Sequence, residues 1–233
     1  MPKAKPDIQR LIDFHRLLLQ FQAIERIVHV PHEQQAKFRW ENDTEHSYSL
    51  TMTAWFLCEY FPHLDRDKVI RYALVHDLVE VHAGDTYVFA DAEQLASKAA
   101  REAAALQQLK TDWPDFPELV ENIHAYESKA DAEAKFVYAL DKIMPVLLIF
   151  IGKGYTWQTE KINLEVLDAI KRDKVALSPE IAAYYDELYE LLTKHSHYFA
   201  GGGSGAKPGR AATDRPGDSE NPARPGATRR PKD

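Results

Sequence analysis

Apolar residues recur along this chain at three- and four-residue steps, the spacing of one face of an α-helix. Leu11, Phe14, Leu17, Leu18, Phe21 and Ile24 set the pattern and predict a helix from about Asp7 to Val28. Pro31 and the polar stretch His32 to Lys37 read as a loop. Asp43 or Thr44 can cap the next helix, which runs to about Tyr60 with Leu50, Thr53, Leu57 and Phe61 on its inner face. His46 lies one turn before Leu50 on that face. A third helix starts near Asp65, carries Val69, Ile70, Ala73, Leu74, Leu78 and Val81, and breaks at Gly84.

The second half continues in the same period. Ala90 to Lys110 is rich in strong helix formers but has a thin apolar stripe, so a partly exposed helix is expected. Trp113-Pro-Asp-Phe-Pro is a turn, Glu118 to Tyr126 a short helix, and Asp131 to Ile151 a long one with Val137, Leu140, Met144 and Leu147 inward. Gly152-Lys-Gly154 ends it, and two helices follow, Thr159 to Arg172 and Pro179 to His197. No useful segment alternates at period two and no internal repeat is visible. The class is all-α.

Composition adds a boundary. Hydrophobic residues make up 45% of the chain, enough for one folded body, expected over residues 1–199. From residue 200 to Asp233 the chain is Gly, Pro, Ala and Arg with almost no large apolar side chain, so this tail is expected to be disordered. The net charge of −7 and the lack of a basic cluster before the tail argue against a nucleic-acid partner. With one cysteine, Cys58, no intrachain disulfide forms, which fits a reducing compartment. The amphipathic start is unlike a signal peptide, and the longest apolar run, Val146 to Ile151, is far too short for a membrane span. A cytoplasmic protein without membrane attachment is expected. Tyr184, Tyr185, Leu188 and Leu191 could serve a homodimer, though packing on the core explains them as well.

Four residues carry candidate chemistry: His46, His76, Asp77 and Asp141. Each lies on or beside the apolar stripe of its helix, where an unpaired carboxylate is costly. Taken singly, a histidine on such a face is more often a hydrogen-bonded core residue, and Asp141 would pair with Lys142 or Lys135. Taken together, two imidazoles and two carboxylates form a mixed donor set that suits Mn, Fe, Co or Zn better than Ca. His76 and Asp77 point about 100° apart but can share the groove beside their helix. Pro145 has no N–H for the Asp141 carbonyl, so a kink is expected there.

The motifs Thr44-Glu45-His46-Ser47, His76-Asp77-Leu-Val-Glu80, Gly84-Asp85-Thr86 and Glu133-Ala-Lys-Phe-Val-Tyr-Ala-Leu-Asp141-Lys resemble, in this order, the HD-domain phosphohydrolases. The likeness is greatest to the branch of bacterial 5′-deoxyribonucleotidases and their eukaryotic relatives, over about residues 10–175. It implies an HD-domain helical bundle and a divalent ion (Mn, Co or Mg, with Zn or Fe as alternatives) held by His46, His76, Asp77 and Asp141. It also implies Glu80 as the catalytic carboxylate, Asp85 on the sugar 3′-hydroxyl, and Arg39 or Lys142 on the phosphate. Where the branch has an Arg-Trp pair that holds the nucleotide, this chain has Arg26-Ile27 and a longer following loop. Trp40 is near in sequence but not at that position, and His82 and His124 match no second-metal pattern. The activity so implied is phosphate release from (deoxy)nucleoside 5′-monophosphates. Another phosphate ester (a nucleoside triphosphate, a cyclic nucleotide or a phosphonate) and a silent helical nucleotide sensor stay open beside it.

Overall fold

The computed structural model describes residues 5–32, 37–85 and 92–201. Helices dominate. Helix α1 spans Ile8–Gln22, α2 Asp43–Cys58, α3 Arg66–Val75, α4 Glu80–Ala83, α5 Ala92–Asp112, α6 Pro117–Ser128 and α7 Ala132–Ile151. Then come α8 Tyr155–Thr159, α9 Leu164–Val175, α10 Pro179–Lys194 and a 3-10 turn at Ser196–Tyr198. Helix α7 is central: α2, α3, α6, α9 and α10 all pack on it. Leu50, Ala54, Tyr72, Phe136, Val137, Leu140 and Ile181 fill the main core. No described helix is long and apolar enough to cross a membrane.

The helical class holds, but the expectation that no segment forms a strand needs correction. The predicted Asp7–Val28 helix stops at Gln22, and the chain turns into strand β1, Glu25–His32, paired antiparallel with β2, Lys37–Asn42. Two things hid the hairpin. Ile24 and Val28 continue the helical spacing of α1, and the strand's inward face carries Arg26 where alternation would place an apolar residue. The register slips between Glu25 and His29, a bulge on β1 that contains Arg26 and re-aims it. The expected loop His32 to Lys37 begins and ends in these strands, and residues 33–36 lie outside the described residues. The hairpin is pinned to α8: Phe38 stacks on Tyr155 at 3.8 Å, and the His29 N–H donates to Thr156 Oγ1 at 3.0 Å.

Other boundaries shift for local reasons. Asn42, rather than Asp43 or Thr44, caps α2, in a reciprocal box with Glu45. The helix expected to run to Gly84 ends at Val75. After it, the Leu78 N–H bonds the Val75 carbonyl and the Glu80 N–H bonds the Asp77 carbonyl, tight three-residue turns that lead into α4. The expected Thr159–Arg172 helix divides, with Thr159 closing α8 and Asn163 capping α9. Pro145 lies within α7. Gly154 has φ +77°, and a Cβ there would collide with the Tyr198 carbonyl. Phe199 is buried and stacks on Trp157 at 4.3 Å. The tail expected to be disordered lies outside the described residues from residue 202 onward.

Candidate metal centre

Helices α2, α3 and α7 pack against one another, so their inner faces share one volume. His46 enters it from the first turns of α2, His76 and Asp77 from the end of α3, and Asp141 from the middle of α7. His46, His76 and Asp141 are buried, at 1%, 2% and 3% exposure. One donor atom from each of these four residues lies within 4.8 Å of every other. His46 Nε2 is 2.8 Å from Asp141 Oδ1, and His76 Nε2 is 2.9 Å from Asp77 Oδ2 and 3.9 Å from Asp141 Oδ1. The sequence expected these four to converge, and they do.

The donors fit a metal ion in detail. His76 Nδ1 donates to the Ala73 carbonyl at 2.9 Å, which leaves the lone pair on Nε2. That Nε2 is buried and has no hydrogen-bond partner of good geometry among the described residues. Burial and the Arg26 charge push His46 down to about 4, so its ring is neutral, as a ligand must be. Burial opposes charge on both His76 and Asp77, but in the metal-free chain Asp77 raises His76 toward its protonated form. That charge together with Arg26 holds Asp77 well below the usual carboxylate range, so a metal ion would take the place of the proton on Nε2. For Asp141, Lys142 and His46 do the same against burial.

Negative charge is in excess here. Glu41, at the end of β2, and Asp43, the first residue of α2, are also buried in the site. Burial lifts Glu41 to about 7 and Asp43 to about 6, although Arg26 opposes both. Burial, then Asp77 and Asp43, push Glu80 well above its ordinary value. Glu41 Oε2, Asp43 Oδ2 and Glu80 Oε2 have no hydrogen-bond partner among the described residues. Asp43, Asp77 and Glu80 form a second close group of oxygen donors beside the first. Carboxylates this crowded call for a cation.

The sequence missed Glu41 and Asp43 because a strand-to-helix junction has no periodicity to mark an inward side chain. The one available signal was the alternation of Glu41 and Asp43 around the capping Asn42. Thr44 and Ser47, whose buried hydroxyls lack a partner among the described residues, were missed for the same reason.

The expected substrate residues divide. Arg26 reaches into the site, with Nη1 3.0 Å from Asp43 Oδ1 and 2.6 Å from Asp77 Oδ2. Burial disfavours its charge, but Asp77, Asp141 and Asp43 overcome this and raise its pKa far above the ordinary value. Lys142 ion-pairs with Asp141. Asp85 follows Gly84 at the mouth, close enough for its charge to act on Glu80. Arg39 stays outside, exposed and joined through both nitrogens to Glu45 at 2.7 Å. Trp40 stacks on His29, and His82 turns toward Asp112 instead of the metal ligands.

The sequence profile of the HD domain matches residues 29–182, about two thirds of the chain and all four convergent donors. The chain belongs to the HD domain family. Among its relatives, 5′-deoxynucleotidase HDDC2 of Bos taurus is 34% identical over 141 residues, 60% of this HD-domain chain and 66% of the relative. The Homo sapiens protein of the same name is 33% identical over 139 residues, 59% of this chain and 65% of the relative. The chain thus spans just under two thirds of the length of the curated relatives it matches. Among solved structures, a predicted metal-dependent phosphohydrolase from Magnetospirillum magnetotacticum MS-1 superposes with a TM-score of 0.69 at 28% identity, covering 83% of this chain and 95% of that one. A Pyrococcus horikoshii OT3 protein shares the fold at TM-score 0.55 and 18% identity, covering 81% of this chain and 99% of its own.

Proposed function

We propose that this HD-domain protein is a metal-dependent phosphohydrolase that releases phosphate from (deoxy)nucleoside 5′-monophosphates. The observation that carries this reading is the buried convergence of His46, His76, Asp77 and Asp141 with an orphaned imidazole nitrogen aimed into it. The names borne by the HDDC2 relatives and by the Magnetospirillum structure support the reaction class. Those four residues hold the ion, with Mn, Co or Mg favoured and Zn or Fe as alternatives for such nitrogen and oxygen donors. A divalent ion there supplies Lewis-acid polarisation of a phosphoryl oxygen and acidifies water.

The chain's own groups do the rest. Glu80 keeps a proton that ionised neighbours would lose and passes it to the departing sugar oxygen. Arg26 braces Asp77 and Asp43 instead of reaching for substrate. Asp85 meets the sugar, and Lys142 leans over Asp141 toward the incoming phosphate. Arg39, tied to Glu45, has no part in this reading.

The reading includes a cytoplasmic setting, which the free, buried Cys58 suits, and self-association. Of the residues expected at a dimer surface, Tyr185 and Leu188 pack in the core. The outer face of α2, with Tyr48, Met52, Trp55 and Phe56 exposed and Tyr60 exposed just past its end, fits better. Its apolar, charge-poor stripe matches a second copy of itself.

Phosphate release from dAMP, AMP and dATP with added Mn, Co or Mg tests the activity. Metal-dependent turnover of the monophosphates, lost in His76→Ala and Asp77→Ala, is expected. Turnover surviving both variants refutes the site. Turnover of dATP alone moves the assignment to another phosphate ester, and nucleotide binding without release points to a sensor.

A further inference from the structure

Helices α3 and α7 carry His76, Asp77 and Asp141, and they are tied to each other at the end away from these donors. They run side by side in the same direction, with both N-termini together. The backbone N–H of Asp65, which caps α3, donates to Glu133 Oε1 in the first turn of α7 at 3.0 Å. The tie is reciprocal. Lys68 of α3 reaches Asp131, the cap of α7, at 2.8 Å and Glu133 at 3.3 Å. One turn on, the Tyr72 hydroxyl donates to the same Asp131 oxygen at 3.0 Å. The other Asp131 oxygen accepts the capping bond from the Ala134 N–H at 2.8 Å. His76 lies eight residues along α3 from Lys68 and Asp141 ten along α7 from Asp131, about 12 and about 15 Å at the helical rise. There His76 Nε2 and Asp141 Oδ1 are 3.9 Å apart.

Lys68, Tyr72 and His76 follow at four-residue steps along one stripe of α3. The rings of Tyr72 and His76 both meet the Tyr126 ring, at 6.3 and 6.0 Å. Apolar contacts in the shared core hold α3 on α7, but they are non-directional and fix proximity better than register. Hydrogen bonds of defined length and angle fix both. Metal coordination tolerates errors of only about 0.2 Å in a ligand distance. Helix α3 is 10 residues long and ends at Val75, so any slide or turn of it is passed on to His76 and Asp77. Lys68 and Asp131 each keep 31% of the side chain exposed, and ion pairs so exposed add little to stability. Their contribution is therefore in aim, and the buried Tyr72 ring carries it toward the donors.

We propose that Lys68, Tyr72, Asp131 and Glu133 are positioning residues that lock α3 in register with α7 and thereby set the affinity of the metal centre. None of them is among the four convergent donors. This rests on the metal-centre reading, and its failure is separable from failure of the proposed reaction. Glu133 opens and Asp141 closes one stretch of α7, so a single helix bears the lock in its first turn and the ligand at its middle.

The test titrates Mn into the full chain and reads free Mn by electron paramagnetic resonance, in wild type, Lys68→Met, Lys68→Arg and Tyr72→Phe. Arg172→Met, which cuts ion pairs to Asp168 on α9 and Asp186 on α10, is the control for a merely structural tie. With about a tenth of the unlocked molecules in the productive register, Lys68→Met weakens Mn binding about 10-fold. Lys68→Arg is expected to restore most of that affinity, and Tyr72→Phe to lose a smaller part of it. With Co in place of Mn, the visible absorption bands are expected to shift in Lys68→Met and to match wild type in Arg172→Met. Metal-free melting midpoints are expected to fall no further in Lys68→Met than in Arg172→Met. Mn affinity unchanged in Lys68→Met and Tyr72→Phe, or weakened as much in Arg172→Met, overturns the inference, as does a wild type that binds no Mn. Should Lys68→Met not fold, wild-type Mn affinity in Tyr72→Phe overturns it alone. Lysine-dependent Mn binding by a wild type that releases phosphate from no nucleotide upholds the positioning role and refutes the proposed reaction instead.

Discussion

Arg26 Nη1 sits 2.6 Å from Asp77 Oδ2, so a strand residue from the hairpin braces a carboxylate delivered by the end of α3. The same guanidinium holds Asp43 at 3.0 Å and lies 3.7 Å from Glu41. Arg26→Gln leaves these buried carboxylates without their cation. The metal-free protein is expected to lose roughly 3 kcal/mol, as in other broken buried pairs. Urea melts with and without added Mn measure it, and the deficit is expected to shrink when Mn is present.

The four convergent donors predict how the protein responds to metal. With an ion at 100-fold its dissociation constant, binding to the folded state alone adds about 2.7 kcal/mol of stability. Thermal melts are expected to rise on adding Mn and fall back with a chelator. His46→Ala and Asp141→Ala are expected to abolish that rise and to reduce metal content on elemental analysis.

Glu41 gives a pH dependence with a definite sign. Its carboxyl titrates at 4.5 when unperturbed and near 7 in the folded chain. The native state binds the extra proton between these values, so stability falls as pH rises through that window. Above it the metal-free protein is less stable by about 3 kcal/mol on this account. Glu41→Gln removes the titration. The variant is expected to match wild type at pH 4.5 and to exceed it at pH 8 in chemical denaturation.

Among the described glycines, Gly154 is the one whose positive φ coincides with a close approach, to the Tyr198 backbone. Gly154→Ala must move that segment or strain the backbone, a cost of about 2 kcal/mol or more. A melting midpoint unchanged from wild type would show that the contact between α8 and the last turn yields freely.

The helices and the four donors were readable in the sequence because helical spacing marks an inward face and each donor lies on or beside one. Leu50 locates His46, Ala73 locates His76 and Asp77, and Leu140 precedes Asp141. The hairpin was unreadable because Arg26 faces inward and Ile24 and Val28 prolong the period of α1. The early end of α3 at Val75 was equally hidden, since Leu78 and Val81 keep the helical spacing through turns that are not α-helical. Glu41 and Asp43 needed the tertiary structure, because only packing shows which side of a junction is dry.

Of the four convergent side chains, Asp77 alone keeps appreciable contact with solvent, at 18% against 3% or less for the others. Asp77 is thus the ligand through which a bound ion would face solvent, and under the proposed function the nucleotide would approach from the same side. A nucleotide bound on that side would stand between the ion and solvent. Exchange of radiolabelled Mn is therefore expected to slow when dAMP or phosphate is bound, and loading to require metal before nucleotide.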